Sequence, residues 1–420
     1  MGLSDDWRKD YSYYSIIDQA IRGRQLPFYI AASAQSSDRF LANLETPWAP
    51  HVVVVPVLGA AAFFHVQALL CFAIGLFGLI RLQQLLQMST FWWAVLTLLF
   101  LLNGNILSHL AAGHTQWIAY FLLPWVLLAV CRAEDARTAP TALALALPLS
   151  AMIALGGWHV FVWAWLFTIA ACATRPALFP VALRASVWVA GLTAFRLIPA
   201  ALTFGGGTNT FLAAYSGPAQ IMAAATGGAL DGLPLAPYEY AVFVGWVGVA
   251  VACVGALTPL NRPASAVHAL WLPSLAMIVL SMGTVYQRTL FRLPGLVSER
   301  VVTRLLIVGV LGLIVMGCAT LSALHPPAVR NRLASGVALA AGLFLGIQLA
   351  LHASAVRPPF GDVVNSGDLI KSATVEATYY WGVWIGVLIS CTSGIVAAMS
   401  RFPRATPRLS PTSPPAQTAG

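Results

Sequence analysis

Residues 305–324 read LLIVGVLGLIVMGCATLSAL, twenty positions without a charge. An α-helix rises about 1.5 Å per residue, so this run is long enough to cross a hydrocarbon layer about 30 Å thick. Comparable apolar runs recur near 63–81, 90–107, 116–131, 140–155, 158–173, 180–200, 239–258, 268–286, 302–324, 333–353 and 380–400. The chain therefore reads as an all-α, polytopic transmembrane helical bundle of about eleven spans, because a β-barrel would show short alternating segments instead. Its 420 residues are 59% hydrophobic and 9% charged, which excludes an ordinary soluble domain. Residues 51–62 are apolar but short, and they either re-enter the membrane or extend the first of these spans.

Three regions follow from this pattern. Residues 1–50 form an extracytoplasmic loop with an amphipathic helix. Residues 51–400 form the transmembrane helical domain, with outer loops 203–238 and 354–379. Residues 401–420 are Pro-, Ser- and Thr-rich and read as a disordered cytoplasmic tail.

Sidedness comes from the connectors. If they alternate, 82–89, 132–139, 174–179, 259–267, 325–332 and the tail share one side. With Arg81 and Arg184 this set holds 11 Arg and 2 acidic residues, against 12 Lys or Arg and 12 acidic residues elsewhere. The basic counts are even, but the positive-inside rule acts through short loops, and the first set is short and nearly acid-free. That set is assigned to the cytoplasm, and the net charge of +9 lies with it. Loops so thin and separated make no nucleic-acid surface, so no nucleic-acid partner is expected. The excess of Arg over Lys, 21 to 2, points to a GC-rich bacterial genome and thus to a bacterial inner membrane. Residues 1–50 then lie outside with no apolar segment ahead of them, and a twelfth, first helix upstream is expected.

Six cysteines, Cys71, Cys131, Cys172, Cys253, Cys318 and Cys391, stand singly in apolar runs and read as small buried residues. Their spacing supports neither a disulfide framework nor a zinc site.

Twelve of the fourteen acidic residues and most histidines fall on or near the outer face. Ionisable groups are costly in a membrane, so a one-sided collection marks a site. Asp5, Asp6 and Asp10 crowd the start of the chain. They precede an amphipathic helix over Tyr13–Arg24, stopped by Gly23 and Pro27, that can lie on the membrane surface. Asp10 serves equally well as a cap for that helix. In HLAAGHTQW, His109, His114 and Gln116 either bind sugar hydroxyls or phosphate, or form an interfacial belt with Trp117. His159 in GGWH repeats the theme. Arg196 lies deeper than a loop arginine and either snorkels or meets an anionic lipid headgroup. Arg288 with Arg292, and Arg300 with Arg304, are spaced i, i+4; on a helix each pair suits a phosphate. Glu299 neutralises that cluster or joins it, and Glu239 opens a span from the same side. Loop 203–238 shows no helical period, and Gly205–Gly207 is not a phosphate-binding loop.

Taken in order, DDW, IRGRQLPFY, FLANLETPWAP, LAAGHTQWIAYFLLPW, FRLIPA, YEYAVFVGW and LPGLVSERVVTRLL resemble the GT-C superfamily of membrane glycosyltransferases, particularly its YfhO-like branch. The resemblance runs over roughly residues 5–310. It implies a GT-C-like bundle and transfer from a polyprenyl-phosphate-linked sugar to an extracytoplasmic glycan, lipid or protein acceptor. It also implies an acidic catalytic or metal-binding group in the first outer loop: Asp6 matches best, then Asp5, then Asp10. A divalent cation, Mg or Mn, is the cofactor this would admit. His109, His114, Gln116, His159, Arg196, Glu239, Glu299, Arg300 and Arg304 are the expected substrate-binding set. Phe28-Tyr29 and AASAQS depart from the branch where a Trp and a glycine-rich turn are expected. Two other classes stay open: a transporter or flippase of lipid-linked sugars, and a non-catalytic envelope assembly protein.

Overall fold

Runs of this length must satisfy their own backbone polar groups in an apolar medium, and the helix does so within one segment. The computed structural model describes residues 5–30, 38–132, 139–203, 210–228, 230, 233–261, 266–293, 295–324, 340, 343–344, 347 and 370–401. Among these residues there are helices and three isolated bridges but no strand. The helices are α1 (Asp5–Arg22), α2 (Ala60–Leu86), α3 (Thr90–Leu101), α4 (Gly104–Ala112), α5 (Leu123–Arg132), α6 (Ala139–Ala154), α7 (Trp158–Thr174), α8 (Leu178–Leu192), α9 (Ala194–Thr203), α10 (Pro218–Thr226), α11 (Gly245–Asn261), α12 (Trp271–Ser281), α13 (Thr284–Arg288), α14 (Leu306–Leu324) and α15 (Ala377–Arg401), with a lone turn at Val55–Leu58.

Five stretches are long and apolar enough to cross a membrane by length and composition: Ala60–Leu86, Thr90–Ala112, Thr115–Arg132, Val302–Leu324 and Ala377–Ser400. The α8–α9 pair, bent by 80°, makes a sixth if read as one broken span. Eleven full spans are therefore not present among the described residues. Segments 141–154, 158–174, 245–258 and 267–281 are helical and apolar but shorter. Two of them stop short of their expected limits at one end. Where helix was expected from 239, a 3-10 turn at Pro237–Glu239 and an extended stretch come first, and α11 starts only at Gly245. Where helix was expected through 286, Gly283 at φ +81° ends it. The expected span 333–353, His352, Gly205–Gly207, residues 354–369 and the tail after Arg401 lie outside the described residues, apart from single helical positions at 340, 343–344 and 347.

Helix α14 is the axis of the bundle, with nearly every side chain through Cys318 buried. Small residues let its neighbours close on it, as in membrane bundles generally. A Cβ on Gly317 would strike the Val251 carbonyl of α11, and one on Gly255 would strike the Leu313 carbonyl of α14. Gly309 stands in the same way against the Ser274 carbonyl of α12, at 2.6 Å. Two cysteines escape the expected burial: Cys253 and Cys391 are exposed, on helix faces turned outward.

Two spans are broken, and side chains repair each break. Between α3 and α4, Asn103 accepts from the amides of Asn105 and Ile106, and its amide donates to the carbonyls of Leu99 (3.1 Å) and Phe100 (2.8 Å). Between α8 and α9, Ser390 of α15 accepts from Phe195 N–H at 3.1 Å and donates to the Gly191 carbonyl at 3.1 Å.

Helix α1 begins earlier than expected, at Asp5, and ends at Arg22. Its apolar face is not laid on a membrane surface. Tyr13, Tyr14, Ile16 and Ile17 are buried in a second core with Phe40, Val52, Val55, Phe63 and Tyr379, where Tyr13 meets Phe40 and Tyr14 meets Phe63 ring to ring. Segment 203–238, expected to be without periodicity, contains α10 and is pinned to residues 300–302 through Leu212 N–H to Arg300 O (2.9 Å) and Val302 N–H to Ala213 O (3.0 Å).

Replacing Gly317 with Val forces a branched side chain onto backbone and is expected to cost at least about 1–3 kcal/mol. Gly394→Ala, which faces open space, should leave stability unchanged. Thermal unfolding in lipid nanodiscs, Gly317→Val against Gly394→Ala, checks the contrast.

Candidate functional site

At one end of the bundle the loop 40–48 meets the start of α7, and a set of polar side chains from near α4, α7 and α14 gathers there. The loop is held from beneath by Arg196 of α9. This guanidinium, fully buried, donates to the carbonyls of Leu41 (3.2 Å), Asn43 and Thr46 (2.9 Å) and to Thr46 Oγ1 (2.9 Å). Arg196 therefore neither snorkels nor reaches a lipid headgroup. It is spent on the backbone of loop 40–46, whose carbonyl dipoles replace its hydration.

The same loop runs over Gly156, where φ is +80° and a Cβ would lie 2.5 Å from the Glu45 carbonyl. Trp48 N–H bonds the Ala154 carbonyl at 2.9 Å. The glycine pair expected merely to separate two spans thus lets the loop seat against the start of α7. There His159 lies between two carboxylates. Its Nε2 is 3.3 Å from Glu45 Oε1, and its Nδ1 is bonded to Glu299 Oε1. Glu299 also accepts from Trp163 Nε1 at 2.9 Å, and neighbouring Ser298 accepts from Trp158 Nε1 at 2.9 Å. Tyr286 secures the turn before them by donating to the Leu296 carbonyl at 2.8 Å. Burial, with the charge of Glu299 beside it, holds that phenol above its ordinary range, so it remains a donor.

Arg304 forms the second charged knot. Its Nε and Nη2 grip Glu239 at 2.6 and 2.5 Å, while Thr303 Oγ1 donates to the Glu239 carbonyl at 2.6 Å. Two parallel bonds suit the planar fork of an arginine. The guanidinium lies 4.8 Å from the centre of the Trp117 ring, on which His109 stacks at 4.2 Å. His109 and His114 share a hydrogen bond of 2.7 Å between their Nδ1 atoms, so one ring donates and the other accepts. Tyr238 closes this wall edge-on to both imidazoles. Trp117 belongs to an eight-residue 3-10 helix, Thr115–Leu122, a long run for that form; Pro124 just beyond has no N–H to continue an α-helical ladder.

Of the residues expected from sequence, His109, His114, His159, Glu239, Glu299 and Arg304 come together. Gln116 is buried beside them, its Oε1 without a partner, as are His109 Nε2 and Trp117 Nε1. The i, i+4 arginine pairs do not form. Arg288 ends α13 and Arg292 follows a break at Thr289, while Arg300 is extended and Arg304 sits in a 3-10 turn. The Nε of Arg300, like that of Arg196, is buried with no hydrogen-bond partner. Asp5, Asp6 and Asp10 have helical backbone in α1, and their side chains lie outside the described residues. Sequence reading missed Glu45, Trp163 and Tyr238, and took Trp117 only as an interfacial ring. The one signal for Glu45 was a carboxylate embedded in the otherwise uncharged stretch FLANLETPWAP.

Among the described residues no three His, Cys, Asp or Glu side chains are arranged to hold a metal ion. Glu45, His159 and Glu299 direct their donor atoms at one another, so this trio does not fit the divalent cation that the resemblance admits. No protein-family model, no curated protein and no solved structure matches this chain.

The Arg304–Glu239 pair is nearly buried, so removing one partner strands a charge. Arg304→Met is expected to destabilise the protein by about 3–5 kcal/mol, whereas Arg304→Met with Glu239→Leu should recover most of that loss. Unfolding midpoints of the two single variants and the double variant in nanodiscs measure the recovery.

Proposed function

We propose that the protein is an integral-membrane glycosyltransferase of the bacterial inner membrane, moving a sugar from a polyprenyl-phosphate donor to an extracytoplasmic glycan, lipid or protein acceptor. The observation that carries this reading is the gathering of three carboxylates, one guanidinium and three imidazoles, walled by Trp117 and Tyr238, at one end of a bundle of apolar helices. Groups of this kind are costly at membrane depth and serve function there. A lipid-linked sugar presents its phosphate at the headgroup level, where such an end would meet it.

Arginine pairing narrows the roles. Arg196 is consumed by loop 40–46 and Arg304 by Glu239, which leaves Arg300 as the guanidinium to hold the donor phosphate and stabilise the charge that grows as its bond to the sugar breaks. An acidic group of the segment before α2 takes the proton of the acceptor hydroxyl. The resemblance names Asp6 for this, with Asp5 and Asp10 next. Transfer by one direct displacement inverts the anomeric carbon, and a single carboxylate suffices because phosphate leaves without protonation. Glycoside hydrolysis, by contrast, commonly employs two carboxylates.

A transporter of lipid-linked sugars is the second reading, favoured by the broken α8–α9 span, since carriers build midplane sites from such breaks. Here the break is closed by Ser390, and the nearby Arg196 is spent on loop 40–46, so neither is left to coordinate a solute and this reading comes second.

The assay uses the full chain in nanodiscs with radiolabelled polyprenyl-phosphate hexoses and extracted envelope glycans. Label should move from lipid to acceptor, and Arg300→Ala should lower kcat/KM about 10²-fold, the scale of losing one electrostatic stabiliser. In sealed proteoliposomes, label that crosses the bilayer still attached to lipid, with no transfer, would establish the carrier instead.

A further inference from the structure

Glu45, His159 and Glu299 run in line from the open side of the site to its interior. Their side chains are 34%, 12% and 1% exposed. A carboxylate accepts hydrogen bonds and does not donate, so this arrangement is satisfied when both ring nitrogens of His159 carry hydrogen. Glu299, buried and fixed by Trp163, supplies the charge that makes such a ring tolerable away from water. Glu45 is fixed too: Arg196 grips the carbonyls on both sides of it, and its own N–H bonds Asn43 Oδ1 at 3.0 Å. Its carboxylate, one side of which meets His159, is the most exposed of the three. Among the described residues, the other charged or titratable groups facing the trio are Arg304 with its partner Glu239, the imidazoles of His109 and His114, and the phenol of Tyr286 beside Glu299.

We propose that Glu299 and His159 form a buried relay that holds Glu45 as the carboxylate which takes the acceptor's proton, an inference that rests on the glycosyltransferase reading. In that step the acceptor oxygen bonds the anomeric carbon while its proton passes to Glu45. The bond from the anomeric carbon to the phosphate oxygen breaks, and its electron pair leaves on the polyprenyl phosphate. Glu45 then returns the proton to water through its exposed edge. His159 and Glu299 touch no reacting atom and are positioning residues. The base thereby lies in the loop that Arg196 holds, not in the aspartate cluster of α1.

Two measurements on the full chain in nanodiscs test this. In the transfer assay Glu45→Gln should lower kcat by about 10²-fold or more with KM unchanged, while Glu45→Asp keeps part of the rate. Glu299→Gln should move the acidic limb of the kcat/KM profile to higher pH. Without Glu299 the imidazole loses its second proton, Glu45 loses the cation beside it, and a carboxylate without that cation protonates more readily. Wild-type turnover in Glu45→Gln, together with its loss in Asp6→Asn, overturns the assignment. The second measurement does not need turnover: nitrogen NMR of ring-labelled histidine, assigned by loss of the signal in His159→Asn. Both His159 nitrogens should be protonated in the wild type and one in Glu299→Gln. A bare ring nitrogen in the wild type overturns the relay. A doubly protonated ring in a chain that transfers no sugar upholds the relay, and it is the transferase reading that falls.

Discussion

A single guanidinium organises the polar end of this protein. Arg196 has no carboxylate partner among its hydrogen bonds; its charge is solvated by three carbonyls and a hydroxyl of one loop. Such a bond set works in both directions. The loop has no helix or sheet to absorb those carbonyls, and the arginine, inside an apolar bundle, has no water. Each solves the other's problem, and the result fixes where Glu45 stands relative to α7. The rest of the site follows from that seat, because Gly156 admits the loop and His159 reaches it from the next residues along.

The charged groups of the site are also balanced locally. Arg304 is matched by Glu239, and His159 lies between Glu45 and Glu299. Isolated, each of these groups would resist burial. Joined in pairs and given aromatic N–H donors, they hold one another in a fixed geometry. Fixed geometry of this kind is what a reaction centre needs from its surroundings, since groups already in place need not reorganise when charge develops.

The helical character of the chain was legible because apolar runs near twenty residues leave few alternatives. Most elements fall where the runs do: α2, the α3–α4 pair, α14 and α15 all lie on expected spans. What sequence could not convey is how far a polar end cuts into a span. The residues Glu239–Val244 look apolar enough for helix, but Arg304 and Thr303 bind Glu239 and draw that stretch into a turn. Spacing misled at the arginines for the same reason, since i, i+4 has meaning only where a helix exists. The individual members of the site were legible as polar residues near one face. Their pairing was not: Glu45 and His159 are 114 residues apart, and Glu299 is a further 140 along the chain. Nothing local in sequence links them.

Helix α15 has an implication for how the protein is made. It packs lightly, yet Ser390 completes the α8–α9 break, Tyr379 accepts from Leu41 N–H at 3.1 Å and donates to the Phe28 carbonyl at 3.1 Å, and Glu376 pairs with Arg39 at 2.8 Å. These partners leave the ribosome some two hundred to three hundred and fifty residues before α15 does. Until α15 is made, the loop that carries Glu45 and the bent span beneath it wait without these partners. The last described helix is therefore the latch of the assembly, and the polar end of the molecule takes its final form only once α15 has been made.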